Sequence, residues 1–354
     1  TFGGKVANGK RVNAIENTML GWERSNEFDT GFDLTLLGGR INFIFDYYDK
    51  ITEDMLWGVA IPISSGFSSV QDNIGKIQNR GLEFSLNTIN ITNAEFTWSS
   101  DFNISFNKNE VLDMGAVGRI LAGPRSYSLT MEGQPMAMFY GYKSLGIINT
   151  YEELEKYPHF SSQLPGTPHY EDTDKNGILD QRDKQIIGNP WPKFRGGFSN
   201  NFTYKNWDLG IAMSFAHDFD IWAQLEEDVI NLDGVFNVLS EVKDRWRSPE
   251  QPGNGRIAAS FHETAYDRWE NSDWVHNASF LKVQNITLGY NLKNISFMKL
   301  LRLYCTAQNP FLFTNYRYGN PEASVYGNNS LQRNFDNYDY PLTRTIVFGV
   351  NVTF

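Results

Sequence analysis

The chain has 354 residues, with 41 acidic against 31 basic side chains and a formal net charge of −10. That balance excludes the clustered cationic surface a nucleic-acid backbone demands. No uninterrupted apolar run reaches the roughly 20 residues a transmembrane helix needs, although a membrane barrel stays open because its alternating strands average to polar.

At the amino end, TFGGKVANGK carries neither the apolar core nor the cleavage site of a signal peptide, so a mature product or a fragment is expected. Period-two alternation then dominates. Leu82, Phe84 and Leu86 form one such row. From Phe96 to Asn107, the residues Phe96, Trp98, Phe102, Ile104 and Phe106 share one face, opposite Thr97, Ser99, Asp101, Asn103, Ser105 and Asn107. Further rows are Phe198, Phe202 and Tyr204; Trp207, Leu209, Ile211, Met213 and Phe215; Ile286, Leu288, Tyr290 and Leu292; and Ile346, Phe348, Val350, Val352 and Phe354. These runs of roughly 10 to 14 residues match a tilted membrane-crossing strand better than a soluble one.

Short turns at Gly38-Gly39, Thr92 to Glu95, Lys205-Asn206 and Lys293 to Phe297 alternate with long excursions. The excursions run from Ile51 to Ile77, Glu110 to Lys193, Asp218 to Ala278 and Phe311 to Pro341. Turns at one end and long loops at the other are the habit of outer-membrane barrels, and the order puts the last strand's end on the periplasmic side. Met136 to Ile147 breaks the alternation and is assigned to the outer excursion or lumen wall, which leaves about nine spanning strands, an odd number that suggests an incomplete barrel.

Trp98, Tyr204 and Trp207 lie near the short turns, where an interfacial aromatic belt would sit. Within residues 218–278, the spacing of Val235, Leu239, Val242 and Trp246, closed by RSPEQPGNG, predicts a helix. Cys305, the only cysteine, falls on a strand pattern as an apolar position rather than a nucleophile.

The stretch EDTDKNGILDQRD, within the excursion 110–193, has the spacing of a calcium loop over residues 172–183. Asp172, Asp174, Asn176, the carbonyl of Ile178, Asp180 and Asp183 occupy positions one, three, five, seven, nine and twelve, and Gly177 stands at the sixth. All-oxygen ligands suit a hard cation such as calcium. Asp183 replaces the usual glutamate with a shorter arm, and the flanks are not paired amphipathic helices, so a static structural calcium is expected rather than a sensor. The bland alternative is a solvated acidic turn.

No catalytic constellation emerges, and the chain is read as a non-enzyme. His159, His169, His217, His262 and His276 share no metal-ligand spacing, and His262-Glu263 lacks the second histidine of a zinc protease helix. Glu226-Glu227 and Glu152-Glu153 could cut glycosides only across a cleft that sequence does not show. Trp57, Trp191, Trp222, Trp246, Trp269 and Trp274 fall in or beside the long excursions, where they either stack on cargo or hold the loops together.

Several segments, in order, resemble the SusC/RagA family of TonB-dependent outer-membrane transporters. They are LGWERSNEFDTGFDLTLLGGRINFIFDYYDKITEDML from Leu20, SSGFSSVQDNIGKIQNRGLEFSL from Ser64, EGQPMAMFYGYKSLGI from Glu132 and DTDKNGILDQRDKQIIGNPWPKF from Asp172. NASFLKVQNITLGYNL from Asn277 and the terminal TIVFGVNVTF complete the set.

The resemblance implies an all-β fold: a transmembrane antiparallel β-barrel with long extracellular loops, this chain being the C-terminal part of a 22-stranded barrel in the Gram-negative outer membrane. It also implies import of oligosaccharides or peptides under a SusD-like surface lipoprotein, energised by the TonB complex. The plug and remaining strands would come from an N-terminal part of the same transporter. TNYRYGNPE, after Phe313, is a variant of the family's usual form. Two alternatives stand beside this: a secreted calcium-dependent glycan-binding β-sandwich, which would be monodisperse without detergent, and an outer-membrane enzyme, which would need a cleft with a carboxylate or nucleophile pair.

Overall fold

The computed structural model describes residues 15–67, 69–230, 232, 237–260, 269–295, 298–327 and 329–354. Nine strands form its main sheet: β1 (Arg24–Leu36), β2 (Ile41–Glu53), β3 (Lys76–Thr92), β4 (Phe96–Asp113), β5 (Phe194–Tyr204), β6 (Trp207–His217), β7 (Phe280–Ile295), β8 (Met298–Thr314) and β9 (Thr345–Thr353). They neighbour one another in chain order, and every pairing is antiparallel.

Because side chains alternate across a strand, the register decides whether the apolar rows fuse. They do. Leu86 lies opposite Phe102, Phe102 opposite Phe198, and Phe198 opposite Met213. Farther along, Leu288 faces Cys305, which faces Phe348. The expected apolar faces thus become one continuous surface, with Cys305 inside it.

This surface is bare. Leu288, Leu303 and Phe313 are exposed, and Phe348 is 78% exposed. A soluble β-sandwich would press a second sheet onto that face; among the described residues no layer covers it, so the sandwich alternative fails. The opposite face carries polar groups that bond across strands. Asp208 accepts from Arg302 at 2.5 Å and from Asn291 at 2.6 Å.

Tight hairpins close one end of the sheet. Leu37, Gly38 and Gly39 run consecutively through the left-handed region at φ of 53°, 65° and 89°, a path that costs glycine little. Lys205 also takes positive φ in the two-residue turn between β5 and β6, whose twist matches the flanking strands. Tyr204 and Trp207 flank that turn on the apolar face and are about half exposed.

The long excursions gather at the other end as an assembly with a core of its own that also packs on the strand ends, where Ile77 of β3 and Val111 of β4 join Trp57 and Met136. Met138–Gly141, inside the segment set apart from the spanning strands, joins a four-stranded sheet with 119–122, 128–131 and 185–188. Phe335–Asp336, from the last excursion, pairs in parallel with Asp220–Ala223 of the preceding one. The buried cluster of Tyr127, Phe139, Trp222, Val242, Ile257, Trp274 and Phe335 draws on three excursions at once.

The helix expected around Val235 to Trp246 needs correction. Val235 lies outside the described residues, Leu239 is extended, and only one 3-10 turn, Ser240–Asp244, follows. The α-helix in this region is Gln224–Val229. Val242 and Trp246 still face the core, because one tight turn followed by extended chain mimics helical spacing. Among the described residues no helix is long and apolar enough to cross a membrane.

Candidate functional site

The acidic loop connects Pro168–Tyr170 to Gln185–Gly188. Leu179 anchors it by packing with buried Tyr142 and Tyr170. Gly177 sits at φ +81°, the sharp turn for which the sixth position favours glycine; its N–H donates to Asp172 Oδ2 at 2.8 Å. Asn176 folds inward, its Nδ2 donating to Asp174 Oδ2 at 2.9 Å and its Oδ1 accepting from the Ile178 N–H at 2.7 Å.

Asp183 is wholly buried and ties the loop's two ends together. Its Oδ1 accepts from Thr173 N–H at 2.9 Å and its Oδ2 from Asp180 N–H at 2.7 Å. Ligand oxygens of Asp172, Asp174 and Asp183 fall within 4.8 Å of one another. Asp180 stands apart, held in a two-pronged pair by Arg182 at 2.7 to 3.1 Å. That hydrogen-bonded guanidinium keeps the exposed Asp180 carboxyl below its ordinary range.

So three of the six expected residues converge as carboxylates, Asn176 lines the same turn, and Asp180 is turned to its arginine. The Ile178 side chain is 60% exposed, leaving only its backbone for any ligand role. The donor set fits a hard cation: three carboxylates and an amide oxygen, without sulfur or imidazole. Asp172 Oδ1 is buried with no hydrogen-bond partner among the described residues, as a carboxylate oxygen reserved for an ion would be.

A second constellation escaped the sequence reading. The short helix Gln224–Val229 presents Glu226 and Glu227, both buried. Glu226, fully enclosed, accepts from Arg256 and pairs with His276, and Arg317 approaches at 3.3 Å. Burial opposes its ionisation, but His276 and Arg256 outweigh burial and hold the carboxyl below its usual value. Glu227 pairs with Arg125 at 2.9 Å. One helix therefore fastens residues 110–193 through Arg125 and residues 311–341 through Arg317, and its carboxylates are ion-paired rather than set across a cleft.

The tryptophans divide. Trp57, Trp222, Trp246 and Trp274 are buried and serve the loop cores, so they are glue. Trp191 is half-buried, donating Nε1–H to the Met136 carbonyl at 2.7 Å beneath the Arg333 guanidinium. Trp269 meets Phe160 edge-on at 4.4 Å beside a hollow. Among the histidines, His169 stacks on Tyr157 at 4.2 Å, and burial lowers its pKa; His262 lies outside the described residues.

A one-sided apolar sheet below a large loop assembly defines a membrane β-barrel, and the comparisons give its class. The family model "TonB dependent receptor-like, beta-barrel" matches residues 1–139. TonB-dependent receptor P3 of Formosa agariphila is 33% identical over 376 residues, covering 99% of this chain and 36% of the relative. TonB-dependent receptor SusC of Bacteroides thetaiotaomicron is 27% identical over 359 residues, covering 96% of this chain and 32% of the relative. The structure of the RagAB peptide transporter superposes with a TM-score of 0.80 at 21% identity, covering 98% of this chain and 37% of that one.

The chain belongs to the TonB-dependent receptor β-barrel family, on the SusC side of it. This is a family of receptors and transporters, which implies the outer membrane. The chain spans about a third of the length of the curated relatives it matches.

Proposed function

We propose that this chain forms the C-terminal strands and outer loops of an importer for oligosaccharides or oligopeptides in the Gram-negative outer membrane. The observation that carries this reading is the pair of open edges. Among the described residues, β1 and β9 each pair on one side only, yet their apolar side chains are exposed as for lipid. An open edge is not viable in hydrocarbon, where unpaired backbone groups cost several kcal/mol each. Further strands of the same transporter therefore close the barrel, and with them come the plug and the contact to the TonB complex.

A SusD-like surface lipoprotein would cover the loop end and trap cargo against it, opening outward to load. Asp172, Asp174 and Asp183, with Asn176 and the Ile178 carbonyl, would hold a structural calcium there, and Asp180 would join them only by leaving Arg182. When bound, the ion supplies charge compensation and cross-linking; no bond in the cargo is made or broken. The loop's own residues keep its shape, with Asp183 clamping Thr173 and Asp180 and Gly177 making the bend.

Deleting the gene and following uptake of fluorescent oligosaccharides and oligopeptides tests import. Loss of uptake of one class, restored by the intact gene, is expected; unchanged uptake of both sinks the reading. Affinity purification from outer membranes should recover a surface lipoprotein in equal amount, and its absence removes the lid.

A further inference from the structure

A cavity of about 980 Å³ opens beside the acidic loop, on the four-stranded sheet of the loop assembly. Arg119, Arg125, Arg182 and Lys184 line it, above a floor that includes Leu121 and Leu129. Among the described residues no aspartate or glutamate contributes to that lining. In a chain of net charge −10, four cations around one hollow is a departure that needs a reason.

Three of the cations are steadied by acids. Glu227 holds Arg125 at 2.9 Å, Glu270 holds Lys184 at 3.0 Å, and Asp180 holds Arg182 at 2.7 Å. Glu227 and Glu270 are buried and fix their partners without lining this first cavity. The Arg119 side chain is exposed and makes no ion pair or hydrogen bond among the described residues, its backbone being paired opposite Met131. A guanidinium left open beside fixed cations is a receptor for carboxylate, which it can bind through two parallel N–H bonds.

A second hollow of about 620 Å³ shares Arg125, Gln181 and Lys184 with the first, adds the rings of Tyr142, Phe160 and Trp269, and is lined as well by Asp180 and Glu270, the ion-pair partners of Arg182 and Lys184. We propose that the two form one trough for an acidic oligopeptide. Its carboxylates meet Arg119 and Arg182, its aliphatic side chains cover Leu121 and Met131, and a larger side chain enters the ring-lined hollow. The aliphatic floor decides against an acidic glycan, because apolar area gains from burial only against apolar area. The inference rests on the importer reading and names its cargo.

The probe is a fluorescent heptapeptide alternating glutamate and leucine, measured by polarisation on the intact transporter in outer-membrane vesicles. It is compared with the same peptide carrying glutamine for glutamate and with an oligogalacturonate of matched length. The acidic peptide should bind about tenfold tighter than the glutamine peptide, the size of one charge-assisted hydrogen bond. Arg119→Glu should remove that preference, lowering the acidic peptide's affinity far more than the glutamine peptide's, because only the acidic peptide loses a charge-assisted pair and meets a like charge. Equal affinities, or a preference that survives R119E, overturn the trough. Arg119-dependent binding of oligogalacturonate without peptide binding overturns the cargo assignment. Failure of the importer reading looks different: deleting the gene then leaves uptake of both classes unchanged, whereas gene-dependent uptake that ignores Arg119 defeats this site alone.

Discussion

The sheet and the loop assembly are built from similar residues turned opposite ways. In the sheet, Leu288, Cys305 and Phe348 align on a face that none of the described residues covers with a second layer. In the assembly, Tyr127, Trp222 and Phe335 collapse inward, with Tyr127 and Phe335 ring centres 4.5 Å apart. The solvent explains the contrast. A lipid-facing wall gains nothing by hiding apolar area, while loops in water must bury theirs. The sheet therefore depends on its surroundings, and the loop assembly carries its own core.

That independence is tested hardest at Glu226. Removing it by Glu226→Ala leaves Arg256 and His276 without their buried partner, a change that costs about 3–5 kcal/mol in such networks. Hydrogen exchange should rise across 119–141, 220–230 and 335–336 while β2 to β8 stay protected. Equal loss of protection in both regions would show that assembly and sheet are one cooperative unit. Acid should produce a milder version. Because the folded Glu226 carboxyl lies below its ordinary value, its stabilisation is complete above the unfolded value near about 4.3 and disappears as pH falls through the lowered folded value. Protease nicking of the loops at falling pH measures this, and Glu226→Gln should flatten that profile.

The sheet has its own test, on adjacent residues. Leu288→Arg places a charge on the apolar face and should cost about 2–4 kcal/mol near the bilayer midplane. Thr287→Arg faces the other way and should assemble normally. Heat-modifiable migration of the folded barrel reports both. Equal assembly of the two variants would contradict the assignment of the bare face to lipid.

Much of this contrast was legible in the residues, for a physical reason. Alternation over 10 or more positions is local, so the rows through Phe102, Met213 and Phe348 could be read without knowing their partners. The loop's six-position spacing was local too, and Asp172, Asp174 and Asp183 do converge. The Glu226 network was not legible: its partners lie 30, 50 and 91 residues away, and nothing in a Glu-Glu pair distinguishes a buried anchor from solvated charge. The helix expected near Val242 failed because periodicity reports which side faces a core, not whether the backbone between is helical.

The smallest expected effect sharpens the comparison at one loop. Asp174 is exposed and bonds only within its own turn, so Asp174→Ala should leave the fold untouched in the absence of calcium. With calcium at ten times its dissociation constant, a loop that holds the ion would gain about 1.4 kcal/mol by mass action, and the variant would forfeit that gain. Protection of residues 172–183 from exchange should therefore rise with calcium in the parent and not in D174A. The sheet should respond in neither, because the loop is tied to the assembly through Leu179 and Asp183 and touches no sheet strand through them. Calcium-dependent protection spreading into β4 or β5 would instead mean that the ion braces the barrel rim, and the division between a lipid-dependent wall and a self-sufficient cap would have to be redrawn there.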